Sequence, residues 1–345
     1  MPWSNTFDMT SDLDTREYSH ADSTPPSTPR IEYRAQAADA SLADGALFAV
    51  EFGLDDAPVP PRRARVRLKP LTGAGLVEVW HATGPISAGF DGPVRYARDP
   101  HYLAGAIELD EHECGGLEAT AERAYRAIIE FQSRSAYPHI LRMWNYLDAI
   151  NEGAGDSERY RVFCTGRKHG LGPEGSRRYP AATAIGRRDG TRLLQVYWLA
   201  GKHAGLALEN PRQTSAFRYP RVYGPSAPTF SRAVHLPPGL LMISGTASIV
   251  GHATQHVGDV QRQLDEIFSN LDALLRRAHE HDASLPAKFS RATLIKAYVR
   301  HASDAPLVDR ALTQRLPPGT PYLVLEGDVC RTDLLVELDC QHAAG

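Results

Sequence analysis

A cysteine and a glutamate stand seven residues apart in "GDVCRTDLLVELD", residues 327–339. The alternation in "YLVLEGDVC" and "LLVELD" reads as two strands joined by a tight Arg331-Thr332-Asp333 connection, with Cys330 and Glu337 aimed at one apolar interior. A carboxyl placed there has two readings: it closes a structural ion pair with an arginine, or it is a general acid whose proton is held by an apolar wall. Three arginine-aromatic clusters accompany it. "LRMWNYLD" puts Arg142, Trp144 and Tyr146 on one strand face, "RYRVFCTGR" gathers Arg159, Arg161 and Arg167 about a helix, and "AFRYPRVYG" adds Arg218, Tyr219, Arg221 and Tyr223 on a proline-stiffened loop. Each cluster alone could be solvated arginines beside packed tyrosines. Three together suit a pocket for a small planar anion, because guanidinium forks bind carboxylates in bidentate fashion. Arg142, Arg161 and Arg218 are the expected carboxylate contacts, with Tyr219 and Tyr223 against the rest of the ligand.

Other patterns carry less chemistry. "GLGPEG" at 170–175 matches a dinucleotide fingerprint in letters only. It follows a helical pattern, contains proline and lacks the strand-turn-helix context, so it is expected to be a loop. His252 and His256 are four apart but sit among glycines without a companion carboxylate pattern, which makes a poor metal site. No nucleophile elbow, phosphate loop or Cys-His-Asn signature is visible, and no metal or redox cofactor is expected.

The elements that position these residues repeat. "GLLMISGTASIVGHATQHVGD" alternates and ends at Asp259, a helix cap. Val260, Leu264, Ile267, Phe268, Leu271, Leu274 and Leu275 then recur at helical spacing. A strand "RATLIKAYVRHA", a helix "DAPLVDRALTQRL" with Asp304 as cap and Pro306 in its first turn, and a hairpin over 322–339 complete the unit. The same order runs through "HYLAGAIELDE", "LEATAERAYRAIIEFQ", "HILRMWNYLDAI", "DSERYRVFCTGR" and the hairpin "PAATAIGRRDGTRLLQVYWLAG". The fold class is therefore α/β (α+β), two packed β-α-β-α-β-β units near 100–204 and 236–342. Where the second has Glu337 the first has Val196 or Tyr197. The expected organisation is a disordered tail over 1–30, an N-terminal domain over 31–208 with a degenerate copy and extra strands packed on it, a connecting loop over 209–235, and a C-terminal domain over 236–345 that carries the acid.

The bulk numbers exclude several classes. The 345 residues carry 38 basic against 41 acidic side chains, a net charge of -3, which gives no electrostatic case for nucleic acid or an acidic membrane surface. No apolar run approaches the roughly 20 residues of a spanning helix. The N-terminal stretch lacks the basic and apolar regions of a secretory signal, and four cysteines without CxxC spacing fit reduced thiols in the cytoplasm.

The repeated unit, through "HVGDVQRQLDEIFSNLDALL", "ATLIKAYVRHASDAPLVDRAL" and "DLLVELD", resembles the small imine-deaminase (RidA) fold. The deaminases place a carboxylate-binding arginine about fifteen residues before the final-strand glutamate. Tyr322 stands there, so imine deamination is not implied. The combination of "RMWNYLDAIN", "ERYRVFCTGR", "AFRYPRVYGPSAPTF", "MISGTASIVGH" and "GDVCRTDLLVELD" is similar to the chorismatase family, which cleaves the enolpyruvyl ether of chorismate and releases pyruvate. The resemblance implies that Glu337 protonates the terminal methylene and that the arginines hold the two carboxylates. It also implies a hydroxybenzoate product, because that branch has cysteine where the diene-diol branch has alanine, and Cys330 stands there. In the "SGTAS" strand Gly245 and Ala247 are the implied substrate-facing positions. The strict 3-hydroxybenzoate branch favours glycine at the latter, which leaves room for 4-hydroxybenzoate as well. The competing expectations are chorismate hydrolysis to the dihydroxycyclohexadiene carboxylate and a non-catalytic RidA-like protein that binds a small carboxylate. Monomer and homotrimer are both compatible with the sequence, because RidA units assemble through sheet edges that the duplication could cover.

Overall fold

The computed structural model describes residues 28–35, 45–54, 58–73, 75–175 and 179–344, so nearly all of the expected tail over 1–30 lies outside the described residues. Seven strands precede the first unit: β1 (Ile31–Ala35), β2 (Ala46–Phe52), β3 (Arg63–Val66), β4 (Lys69–Thr72), β5 (Leu76–His81), β6 (Ser87–Asp91) and β7 (Val94–Arg98). The first unit runs β8 (Tyr102–Asp110), a single turn α1 (Glu111–Cys114), α2 (Leu117–Ser133), β9 (His139–Asp148), α3 (Arg159–Gly175), β10 (Ala181–Arg187) and β11 (Leu193–Gly201). After β12 (Leu206–Leu208) and β13 (Ala233–Leu236) comes the second. Its elements are β14 (Leu240–Ala247), a small ribbon of β15 (Ile249–Val250) and β16 (Ala253–Thr254), α4 (Val260–His281), β17 (Thr293–Val299), α5 (Ala305–Arg315), β18 (Tyr322–Glu326) and β19 (Val336–Ala343).

The duplication is present, with the same strand order in both copies: β10-β9-β11-β8 in the first and β18-β17-β19-β14 in the second. The two expected hairpins are not hairpins. In each copy the middle strand lies between the last two, parallel to one and antiparallel to the other. The helix crossover before β10 and β18 puts those strands outside their predecessors. The final strand must then return across the middle one, so its connection cannot be tight. In the second copy this connection covers 327–335, and Cys330 lies in it rather than on a strand.

The N-terminal strands are not confined to the first copy. β6 and β7 extend its sheet, β4 edges the sheet of the second copy, and β1, β5, β2 and β3 form a third sheet. Phe48, Trp80, Trp144, Tyr146, Tyr197, Met242, Tyr298 and Leu323 from all three sheets share one central core. The helices cover the outer faces. On α4 the side chains of Leu264, Ile267, Phe268, Leu271, Leu274 and Leu275 are buried, each stabilising by about 1.5–3 kcal/mol. Asp259 caps the helix by accepting from the Arg262 backbone N–H at 3.0 Å. Asp304 occupies the corresponding position on α5 without a side-chain capping bond.

The segment "GLGPEG" is not a free loop but the end of α3, broken at Gly172 (φ 59°, ψ -170°). Its first glycine is needed for packing. A Cβ on Gly170 would lie 2.5 Å from the Glu122 carbonyl oxygen and one on Gly166 2.2 Å from that of Glu118. Only glycine lets α3 rest directly on the backbone of α2, and that contact sets where the α3 arginines point.

Candidate active site

A cleft of about 800 Å³, including its open mouth, lies between the two copies, inside the ~300–1,000 Å³ range of small-molecule sites. The first copy supplies Tyr160, Arg161 and Arg167 from α3 and Ala182, Thr183 and Ala184 from β10. The second supplies Gly245 and Ala247 from β14, Cys330 and Arg331 from the 327–335 connection, and Glu337 from β19. Tyr219, Tyr223, Phe230 and Arg232 come from the proline-rich segment between the copies.

Glu337 is 5% exposed and pairs in register with Ala247 of β14 and Tyr298 of β17. No hydrogen bond to its carboxyl exists among the described residues. Burial pushes its pKa up to about 8 and the nearby Asp339 charge adds to this, while Arg142 and Arg232 pull it down. It therefore holds a proton at neutral pH. A Cβ on Gly245 would fall 2.0 Å from Glu337 Oε1, so glycine at 245 leaves the acid its place in the cleft.

Burial pushes the Cys330 thiol up to about 12, and Glu337 contributes in the same direction. The sulfur is thus a neutral group that fills space, not a thiolate nucleophile. Its loop is braced by the buried Arg300, which donates to the carbonyls of Leu334 at 2.8 Å, Val329 at 3.0 Å and Arg331 at 2.7 Å. Arg300 also pairs with Asp328 at 2.5 Å, and the backbone of Asp328 exchanges hydrogen bonds with Gly186 on β10. Both copies therefore hold the Cys330 loop.

Of the arginines expected from sequence to meet carboxylates, only Arg161 lines the cleft, and it is partly neutralised by Glu158 at 3.1 Å. Arg142 is fully buried behind the cleft wall, paired with Asp339 at 3.3 Å and donating to Thr183 Oγ1 at 2.5 Å. Arg218 is exposed beside the Phe217 ring and does not line the cleft. The strand and loop patterns placed both near the site but could not say which way a long side chain turns once the copies pack.

The cleft instead presents Arg167, Arg232 and Arg331. Arg167 is 3% exposed, sits over the Tyr125 ring at 5.0 Å, and has Nε and Nη2 without hydrogen-bond partners. Arg232 is 4% exposed, donates to Tyr219 Oη at 2.8 Å and the Thr214 carbonyl at 2.9 Å, and leaves Nε unpartnered. Arg331 lies over the Tyr223 ring at 4.0 Å and donates to the His252 carbonyl at 2.9 Å. No carboxylate pairs with these three among the described residues. Arg167 belongs to the expected α3 cluster; Arg232, just before β13, and Arg331, beside Cys330, carry no sequence pattern that marks them as ligands. Tyr219 and Tyr223 line the cleft, their rings 5.4 Å apart. His252 touches Tyr223 Oη at 3.2 Å, and His256 pairs with Glu266 at 3.5 Å.

A buried carboxyl that keeps its proton, in a cleft with three guanidinium groups lacking carboxylate partners among the described residues, suits an anion that must be protonated. Residues 78–200 match the family described as "Chorismatase FkbO/Hyg5-like, N-terminal". A chorismatase of Streptomyces rapamycinicus is 37% identical over 76% of this chain and 81% of its own length. A 3-hydroxybenzoate synthase of Streptomyces hygroscopicus is 34% identical over 78% of this chain and 82% of its own. A crystal structure of chorismatase superposes with a TM-score of 0.79 at 32% identity, covering 92% of this chain and 98% of that one. The chain belongs to the chorismatase family.

Proposed function

We propose that this protein is a chorismate-cleaving enzyme that releases pyruvate and 3-hydroxybenzoate, with Glu337 as the general acid. The observation that carries the reading is the buried Glu337 carboxyl, its pKa raised to about 8, in a cleft where Arg167, Arg232 and Arg331 have no carboxylate partner among the described residues. An enol ether is inert until its terminal carbon is protonated, and an acid with a pKa near 8 keeps its proton at neutral pH. Arg167, Arg232 and Arg331 take the two substrate carboxylates, because the buried Arg167 and Arg232 guanidinium groups, without counter-ions, are costly until an anion arrives, and the half-buried Arg331 adds a third fork at the mouth. Arg161, Tyr219 and Tyr223 complete that wall.

Protonation of the methylene by Glu337 gives an oxocarbenium ion. The C–O bond to the ring breaks with its electron pair forming the pyruvate carbonyl, the neighbouring ring hydroxyl oxygen moves onto the vacated carbon, and loss of one ring proton to the Glu337 carboxylate aromatises the ring to 3-hydroxybenzoate. Pyruvate and hydroxybenzoate together contain the atoms of chorismate, so this route consumes no water. The dihydroxycyclohexadiene carboxylate would need one water molecule. The Cys330 sulfur occupies space beside Glu337 where such a water could approach, and Ala247, across from Glu337 on β14, shapes the same wall. The division of labour follows the segments 31–208, 209–235 and 236–345.

Incubation with chorismate tests the reading. Equal amounts of pyruvate and hydroxybenzoate are expected, mostly the 3-isomer, and 4-hydroxybenzoate would report the Ala247 departure. Binding of chorismate without pyruvate release would identify a small-carboxylate binding protein instead. No helix among the described residues is long and apolar enough to cross a membrane. We place the enzyme in the cytoplasm, as a monomer or homotrimer that sedimentation equilibrium would distinguish.

A further inference from the structure

Behind the cleft wall four charged side chains lie in one line. Glu78 on β5 pairs with Lys296 on β17 at 2.8 Å, Lys296 lies 3.8 Å from Asp339 on β19, and Asp339 pairs with Arg142 on β9 at 3.3 Å. All four are essentially inaccessible to solvent. The group is closed by neutral donors: Asp339 accepts from Trp144 Nε1 at 3.1 Å, Tyr298 Oη at 2.9 Å and Thr183 Oγ1 at 3.1 Å, while Glu78 accepts from Trp80 Nε1 at 2.7 Å. The Trp144 ring has Arg142 4.3 Å and Lys296 4.4 Å from its centroid. The charges balance, two carboxylates against two cations, as a buried cluster requires.

Glu337 is the fifth ionisable group of this interior and the one left out of the balance. It lies two residues from Asp339 on the same strand face, about 7 Å along at ~3.4 Å per residue. The charged or titratable groups facing it are Asp339 on its own strand, Arg142 on β9, Tyr298 on β17, and Cys330 and Arg331 in the 327–335 connection. From the other side come Arg232, Tyr219 and Tyr223 and, on α3, Tyr160, Arg167 and the Arg161–Glu158 pair; β10 and β14 offer only Thr183, Gly245 and Ala247. Arg142 is the cation that acts on Glu337 from behind the cleft wall, and Asp339 engages it while Lys296 lies against the other Asp339 oxygen.

We propose that Asp339 is a positioning residue: by occupying Arg142, with Lys296 against its second oxygen, it denies Glu337 a counter-ion from behind the cleft wall and so holds the catalytic proton on the Glu337 carboxyl. Thr183 links the two layers. It lines the cleft, donates to Asp339, and accepts from Arg142 at 2.5 Å and from the Gly245 backbone N–H at 3.0 Å. The charge balance of the tetrad thereby becomes a property of the active site. This inference rests on Glu337 being the acid.

The test reads the Glu337 carboxyl directly. Protein labelled with ¹³C at the glutamate carboxyl carbons is titrated by NMR, and the resonance missing from Glu337→Gln is that of Glu337. Asp339→Asn keeps an acceptor for Trp144 and Tyr298 but leaves the cations in excess. Its Glu337 resonance should titrate lower by about one pH unit or more, and the alkaline limb of pyruvate release should shift equally, a roughly tenfold loss of rate above that limb. Glu78→Gln, one cation farther away, should act in the same direction by less, and it carries the test if Asp339→Asn does not fold. The charge-balanced double variant Glu78→Gln with Lys296→Met should return the titration toward wild type. An unmoved Glu337 resonance in these variants overturns the role of the tetrad while leaving the general acid intact. Normal pyruvate release by Glu337→Gln overturns the general acid itself, whatever the resonance does.

Discussion

The two copies share a topology and divide the chemistry. On the inward face of β19 stand Glu337, Asp339 and Gln341; on the inward face of β11 stand Gln195, Tyr197 and Leu199. Tyr197, not Val196, occupies the inward position of the first copy, since Val196 packs under the helices. Its ring stacks on Trp144 with centroids 4.6 Å apart, and its hydroxyl accepts from Lys296 at 2.9 Å. The first copy has thus filled its sheet face with aromatic rings and gives the site α3 and Thr183, whereas the second keeps the acid. A second inward carboxyl on β11 would have upset the balance between Glu78, Asp339, Arg142 and Lys296. The first copy contributes Arg161 and Arg167 to the cleft where the second contributes Glu337 and Arg331.

The largest test of this asymmetry is Glu337→Gln. Pyruvate release from chorismate should fall by on the order of 10²-fold or more, the scale of general acid catalysis, with the fold retained. Near-normal turnover would make the two inward faces equivalent and Glu337 a structural residue. The contribution of the first copy is tested by Arg167→Ala, with Arg232→Ala as its counterpart from the connecting segment. Each should weaken chorismate binding by roughly 1.5–3 kcal/mol, the range for a charged hydrogen bond, in calorimetric titration. Arg218→Ala should leave the Kd unchanged, because that side chain is outside the cleft.

Cys330→Ala sharpens the comparison at the level of product. Removing the sulfur opens about one methyl-sized space beside Glu337. Part of the ring product should divert from hydroxybenzoate to the dihydroxycyclohexadiene carboxylate at undiminished pyruvate yield. An unchanged chromatogram would make Cys330 a packing residue only. The smallest effect is on stability. The Glu337 pKa is about 8 in the folded chain against an ordinary 4.5, so between these values the unfolded chain has released a proton that the folded chain keeps. Rising pH therefore favours unfolding across that window, at up to about 1.4 kcal/mol per pH unit. Glu337→Gln lacks this penalty, so its Tm should exceed that of wild type at pH 7 and converge with it toward pH 4.5. Parallel melting curves at all pH values would contradict the buried protonated acid.

Much of the site was legible because its signals are local. The stripe on α4, the Asp259 cap, the repeat of strand and helix order, and the pairing of Cys330 with Glu337 each depend on residues within a few turns of one another. Gly245 and Ala247 line the cleft from β14 although the pairing of that strand with β19 is irregular between Ile243 and Thr246. What failed depended on partners far along the chain. Arg142 has the pattern of a ligand contact because nothing near it in sequence predicts Asp339, and the pattern of the 209–235 loop does not tell that Arg232 rather than Arg218 turns into the cleft. The expected hairpins fail for a similar reason: strands adjacent in sequence are not adjacent in space here, because the preceding helix crossover commits the central position to another strand.

The sequence by itself determined the duplicated unit, the side chains able to protonate and to bind an anion, and the one copy that kept an inward carboxyl. Those follow from periodicity and residue chemistry, which act over short spans. Only the tertiary structure decided which arginines reach the cleft, that Cys330 rides on a braced loop, and that Glu337 is left without a counter-ion. Charges in a dry interior are governed by their neighbours in space, and here those neighbours come from β5, β9, β17 and β19, brought together only when the three sheets close on one core.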